Sequence, residues 1–159
     1  MQVTTTYLQM FAPTGRDVPP PRDGLCVFQV RQPSVAYYRF LYNAVGDQWH
    51  WRRCKRLTDA ELLKIIQDLR VEILVLHVDG APAGFAELDG RRDGEIEMVQ
   101  FGLLPEFIGQ GLGKYFLQWV IDHAWRKSPR RFWLHTCSLD HPIALSNYEK
   151  AGLAIYQQE

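Results

Sequence analysis

Residues 107–120 read FIGQGLGKYFLQWV: glycines at 109, 111 and 113, then Lys114, then apolar positions at helical spacing. The apolar positions Leu112, Tyr115, Phe116, Trp119, Val120 and His123 follow the 3.6-residue period, and Lys114, Gln118 and Asp122 fall on another side. The glycines therefore sit where a helix must start. Either the backbone approaches a ligand closely there, or the turn is irregular and binds nothing. The first-turn amides of a helix have no internal partner, and the helix dipole adds partial positive charge. Glycine leaves no Cβ between such amides and an anion. A phosphate-binding P-loop is excluded, because Ile108 and Tyr115 stand where Gly and Ser/Thr are required. The dinucleotide fingerprint also fails, since Lys114 takes the place of its third glycine.

The sequence on either side predicts a mixed sheet with helices. Upstream, EILVLHVDGAPAGFAELDG contains two apolar runs joined at Asp79-Gly80, a hairpin signal, and EIEMVQFGL adds a third strand. LTDAELLKIIQDL is a helix with a Thr58/Glu61 capping box and Leu62, Ile65, Ile66 and Leu69 on one face. SVAYYRFLYNAVG reads as a helix stopping at Gly46, and VTTTYLQMF and LCVFQVRQ read as strands. Between those strands lies a proline-rich surface loop, residues 12–24. Downstream come a strand RRFWLHTCS, a short helix PIALSNYEKA with Pro142 in its first turn, and a last strand LAIYQQE. A run of antiparallel strands followed by helix and strand makes an α/β (α+β) class.

The 159 residues are 47% hydrophobic, enough for one ordinary domain, 1–159, with a sizeable core. Lysine plus arginine and aspartate plus glutamate balance at 18 each, so no global field points to nucleic acid or an anionic membrane. Cys26, Cys54 and Cys137 show neither zinc spacing nor a C-x-x-C pair, so no metal site is expected. Free thiols, no signal-peptide pattern and no membrane-length apolar run give the expectation of a cytoplasmic protein.

Two segments carry a family resemblance. FGLLPEFIGQGLGKYFLQWVIDHA resembles the [QR]-x-x-G-x-[GA] signature of the GNAT superfamily of acetyl-CoA-dependent acyltransferases, with Ile108 in the Arg/Gln position and Gly111 and Gly113 matching. DHPIALSNYEKAGL is similar to that family's N-x-x-A-x-x-x-Y-x-x-x-G-[FL] segment; Ala144, Tyr148 and Gly152 match, and His141 replaces the Asn. The resemblance runs from about residue 71 to the C-terminus and is weaker before residue 57. It implies a mixed, mostly antiparallel twisted sheet of six to seven strands with a splayed pair, flanked by about four helices.

It also implies acetyl-CoA as cosubstrate. Pantetheine would insert between EIEMVQFGL and RRFWLHTC on the main chain of Phe101, Gly102 and Leu103. The pyrophosphate would lie on the amides of Gly109, Gln110, Gly111, Leu112, Gly113 and Lys114, with His141, Ala144 and Tyr148 nearby. Tyr148 matches the family's general acid and Glu97 the strand glutamate that serves as base in some members. His135 is a rival base, since a neutral imidazole suits proton transfer near pH 7. Tyr38, Tyr42, Trp49 and Trp51 gather where members build the acceptor wall, although core packing explains some of these rings equally well. The function so implied is acetyl transfer to a primary amine of a small molecule, by a monomer or homodimer. The alternatives are a peptide or protein amine as acceptor, or a noncatalytic acyl-CoA sensor.

Overall fold

The computed structural model describes residues 2–159. Seven strands form one sheet: β1 Thr5–Met10, β2 Leu25–Val30, β3 Val71–Val78, β4 Ala81–Asp89, β5 Glu95–Leu103, β6 Arg131–Cys137 and β7 Ala154–Gln158. Four helices flank it: α1 Val35–Gly46, α2 Asp59–Ile66, α3 Leu112–Trp125 and α4 Ala144–Lys150. The spatial order is β2-β3-β4-β5-β6-β1-β7, and every neighbouring pair is antiparallel except β5–β6. This is the mixed, mostly antiparallel architecture that the sequence implies.

Local chemistry accounts for the element boundaries. Asp79 (φ 50°) and Gly80 (φ 87°) both take left-handed backbone, as a two-residue hairpin between β3 and β4 demands. Ser34 caps α1 by accepting the amide of Tyr37, and Thr58 caps α2 by accepting that of Glu61. Residues 12–24 form neither helix nor strand, as their prolines require.

Three expectations need correction, and one gains a further reason. Leu69 is 95% exposed, because α2 ends at Ile66 and the chain turns before the fourth apolar position can reach the helix face. Gln118 is buried, its amide donating to Asp122 Oδ1 at 2.9 Å on the next turn. Pro142 precedes α4 in a turn and is not part of its first helical turn. Gly46 does more than end α1: a Cβ there would lie 2.4 Å from the indole of Trp51.

The sheet separates two cores. On one face, α3 contributes Phe116, Val120 and Ala124 against Leu74, Met98, Phe132 and Leu134, and Tyr148 of α4 joins them. On the other face, α1 and α2 set Tyr38, Leu41, Val45, Leu62 and Ile66 against Ile73, Val75 and Phe85. The first strand has an unforeseen position. β1 lies between β6 and β7, registered from Thr5↔Cys137 to Met10↔Phe132, so it completes the half of the sheet built from the far end of the chain.

The second core encloses a carboxylate. Glu87 is 4% exposed; the Tyr38 hydroxyl donates to its Oε1 and lies 3.4 Å from Cys54 Sγ. Burial pushes the Glu87 carboxyl up to about 7, against the opposing pull of the Tyr38 hydrogen bond and the Arg53 charge. The folded state thus holds a proton on Glu87 at pH values where the unfolded chain has released it, and stability falls as pH rises from about 4.5 to about 7. The loss amounts to about 3 kcal/mol, since each tenfold step in proton affinity is worth about 1.4 kcal/mol. Glu87→Gln keeps an acceptor for Tyr38 but cannot ionise. Its stability relative to the wild type, measured by urea unfolding, should therefore improve by up to about 3 kcal/mol between pH 5 and pH 8. A difference between the two proteins that does not change with pH would contradict this account.

Candidate functional site: a cleft between two parting strands

β5 and β6 pair only at Glu95↔Arg131, Ile96↔Phe132 and Glu97↔Trp133. Past that point β5 stays with β4 as far as Leu103↔Gly84, and β6 stays with β1 as far as Cys137↔Thr5. The two strands therefore diverge, and their facing edges lose each other as hydrogen-bond partners. The opening is a cleft of about 480 Å³, walled by Met98, Val99 and Phe101 of β5, by Leu134 and His135 of β6, and by Tyr148 of α4. Phe101 stacks on Phe116 at 5.4 Å, which ties this wall to α3. On the opposite face of β5, a Cβ at Gly102 would fall 2.4 Å from Val45 Cγ1, so glycine is what lets α1 pack down on the strand.

The glycine segment lies at one end of the cleft. After a 3-10 turn at Pro105–Phe107, Gly109 (φ 85°) and Gly111 (φ 78°) take left-handed backbone, and Gly111 is the N-cap of α3 with no side chain capping the helix. Nothing lies within 4 Å of a Cβ built on Gly109, and only Pro21 of the proline-rich loop approaches Gly111, at 3.5 Å. Backbone conformation and open access, rather than crowding by protein, explain these two glycines. Among the described residues the amides of 109–111 donate to no protein acceptor, and those of 112–114 belong to an uncapped first helical turn. Gly109, Gly111, Gly113 and Lys114 line the cleft; the Leu112 side chain is buried, and the Gln110 side chain turns back to the carbonyl of Glu106 at 3.1 Å.

This donor set suits the diphosphate of coenzyme A, and the unpaired strand edges suit an extended amide chain such as pantetheine. The coenzyme's residues in this chain would be the amides of 109–114 and the main chain of Phe101, Gly102 and Leu103.

Tyr148 and His135 line the middle of the cleft, and Glu97 stands behind His135. Tyr148 is 8% exposed, and burial, reinforced by the Asp140 charge, pushes its phenol well above the ordinary tyrosine range. His135 Nε2 lies 3.9 Å from Glu97 Oε2. Burial raises the Glu97 carboxyl, against the Arg53 charge, and lowers the His135 imidazole, with Arg53 adding to the effect. The two affinities are thus drawn toward each other, and the neutral form of the His135 imidazole is favoured. Asp140 is held in place by Thr136 Oγ1 (2.7 Å), the amide of Cys137 (2.9 Å) and the indole Nε1 of Trp51 (3.3 Å).

Of the aromatic residues expected at an acceptor wall, Tyr42, Trp49 and Trp51 line the cleft and Tyr38 does not. Tyr38 is fully buried and faces Glu87, because its position on α1 points into the second core. Trp49 meets His141 edge-on at 5.1 Å, and Ala144 and His141 border the same cavity. Glu97 reaches the site through His135 and does not itself line the cavity. Sequence reasoning missed Asp140 and Asn147. The sequence offers Arg52 and Arg53 either as a bidentate pair for a carboxylate or as solvated side chains, and both line the cleft; nothing in the local pattern marks Asp140 or Asn147. Among the described residues no cluster of His, Cys, Asp and Glu could hold a metal ion, and no helix is long and apolar enough to cross a membrane.

Comparison with known proteins agrees with this geometry. No curated protein matches the sequence. Among solved structures, a GCN5-related N-acetyltransferase from Sphaerobacter thermophilus aligns at a TM-score of 0.71 and 17% identity, over 98% of this chain and 49% of that one. A tandem GNAT protein from the clavulanic acid biosynthesis pathway aligns at 0.68 and 14% identity, over 98% and 51%. An aminoglycoside acetyltransferase from an uncultured soil metagenomic sample aligns at 0.66 and 11%, over 82% and 88%. The chain spans about half the length of the first two structures. The family model described as Acetyltransferase (GNAT) family matches residues 28–153, and the chain belongs to that family.

Proposed function

We propose that the protein is an N-acetyltransferase that moves acetyl from acetyl-CoA to a primary amine of a small molecule. One observation carries this reading: the amides of residues 109–114 and the unpaired edges of β5 and β6 converge on a cleft whose middle is bounded by Tyr148. Bound there, acetyl-CoA supplies an acetyl group activated as a thioester.

This chain's residues would do the rest. The helix-terminal amides bind the diphosphate, and glycine at 109, 111 and 113 keeps side chains out of its way. The main chain of Phe101 and Leu103 holds pantetheine in extended form. The acceptor nitrogen, with its lone pair free, forms the new C–N bond as the C–S bond breaks and the electron pair leaves on sulfur. Tyr148, kept protonated by its burial, gives its phenol proton to that sulfur. His135, neutral and 3.9 Å from Glu97, takes the proton released by the amine, directly or through water, with Glu97 as its partner. No covalent enzyme intermediate is required.

Two variants test the reading. Gly111→Asp forces a Cβ onto left-handed backbone and sets a carboxylate beside a phosphate. Calorimetry should show coenzyme A affinity falling by at least tenfold, with thermal unfolding checking that the variant still folds. Affinity equal to the wild type would refute the diphosphate assignment. Tyr148→Phe removes the proton donor but keeps the ring against Phe101 (6.4 Å in the wild type). It should lower kcat for thiol release from acetyl-CoA by about 10²-fold while coenzyme binding is retained. An unaltered kcat would remove Tyr148 from the mechanism.

A further inference from the structure

The segment after α1 crosses the acceptor end of the cleft, and its backbone is pinned from several sides. The Trp51 indole lies against Gly46, packs on Tyr42 at 5.4 Å and donates to Asp140 across the cleft. Three residues on, the Cys54 amide donates to the Tyr42 hydroxyl at 3.3 Å, and the Cys54 carbonyl accepts from Arg39 Nη1 at 2.9 Å. Between these anchors stand Arg52 and Arg53, and both line the cavity.

Of the other cations nearby, Lys55 pairs with Asp47 and Arg39 with Asp59, while Arg56, without a partner among the described residues, does not line the cavity. Among the described residues the side chains of Arg52 and Arg53 make no ion pair and no hydrogen bond with the protein. Two adjacent guanidinium groups are thus carried on an immobilised backbone at the mouth of a cleft, without a protein counter-ion. The Arg53 charge is felt at Glu97 and His135, the groups that would receive the amine's proton. Asp140, a carboxylate that does line the cavity, is already engaged by three donors.

We infer that the acceptor is an amine that also carries a carboxylate, held by Arg53 with Arg52 beside it, and that its apolar body lies against Trp49, Trp51 and Tyr42. An amino acid with an aromatic or apolar side chain has this chemistry. A guanidinium presents two parallel N–H groups to a carboxylate, and a fixed backbone means little ordering is lost on binding. The aromatic wall supplies apolar contact. A carboxylate held at the arginines leaves the amine, a few bonds away, facing the Glu97–His135 side of the cleft. The transfer itself is the one described above: the amine nitrogen gains the acetyl carbon, sulfur keeps the electron pair and gains the Tyr148 proton, and the amine proton goes to His135. The inference rests on the acetyl-transfer reading for its chemistry but not for its binding claim.

The experiment uses pairs that differ only by the carboxylate: L-phenylalanine with phenethylamine, and L-tryptophan with tryptamine. Thiol release from acetyl-CoA is measured for the wild type, Arg53→Gln, Arg53→Lys and Arg52→Gln. The same four ligands are titrated by calorimetry into protein saturated with coenzyme A. In the wild type the acid of each pair should exceed its decarboxylated partner at least tenfold in kcat/KM and in affinity. Arg53→Gln should collapse that ratio toward one, mainly through KM, and Arg53→Lys should restore part of it. Equal use and equal binding of both members by the wild type overturns the proposal. So does a loss in Arg53→Gln shared equally by both members, which would mark a structural role. If no amine is acetylated but calorimetry still shows the carboxylate preference and its dependence on Arg53, the acetyl-transfer reading fails and the binding proposal stands.

Discussion

The separation of β5 from β6 is the constraint on which the rest of the molecule depends. A parallel pair that stayed zipped along its length would fill the middle of the sheet with hydrogen bonds and leave no room for a ligand. Here the pairing ends after three residues, and each strand keeps its outer neighbour, β4 on one side and β1 on the other. The backbone groups turned toward the gap are strong donors and acceptors that a dry interior would penalise. A cleft that admits water or an amide-bearing ligand relieves that penalty. The helices then follow: α3 starts at one end of the gap and brings its uncapped amides there, and α4 brings Tyr148 to the middle.

The electrostatics of the cleft follow from the same geometry. Glu97, His135 and Tyr148 are all partly or wholly withdrawn from water, and burial moves each in the direction that favours its neutral form. That tendency raises Glu97, lowers His135 and keeps the Tyr148 proton in place. Deeper in the sheet the same tendency acts on Glu87, which among the described residues has only Tyr38 as a hydrogen-bond partner and whose carboxyl is pushed up to about 7. The shifted groups around the cleft and a costly carboxylate in the core thus share one cause.

The hairpin at Asp79-Gly80, the capped α2 and the glycine-to-helix junction were legible in the sequence because each is written in a few consecutive residues. Leu69 and Gln118 were misread because periodicity says which residues share a face, but not where a helix ends or how wide its buried stripe becomes. Tyr38 and Tyr42 are one helical turn apart and alike in type, yet one faces Glu87 and the other the cleft. That distinction depends on how α1 lies on the sheet, a long-range property. Asp140 escaped notice for a similar reason, since its three partners come from β6 and from the loop after α1. The position of β1 was likewise unreadable: VTTTYLQMF marks itself as a strand, but nothing in it names β6 and β7 as neighbours.

That position of β1 has a consequence for biogenesis. Residues 5–10 leave the ribosome before any part of their eventual sheet environment exists, since their partners lie at 131–158. The hairpins from β3 to β5 can zip up locally in the meantime, while this early strand must wait with unpaired edges for more than a hundred residues of synthesis. Its docking between β6 and β7 is thus a late, non-local event, and it is the event that gives one wall of the cleft its support. Competence to bind a ligand would be acquired late, in a closing step that joins residues 5–10 to strands more than a hundred residues further on.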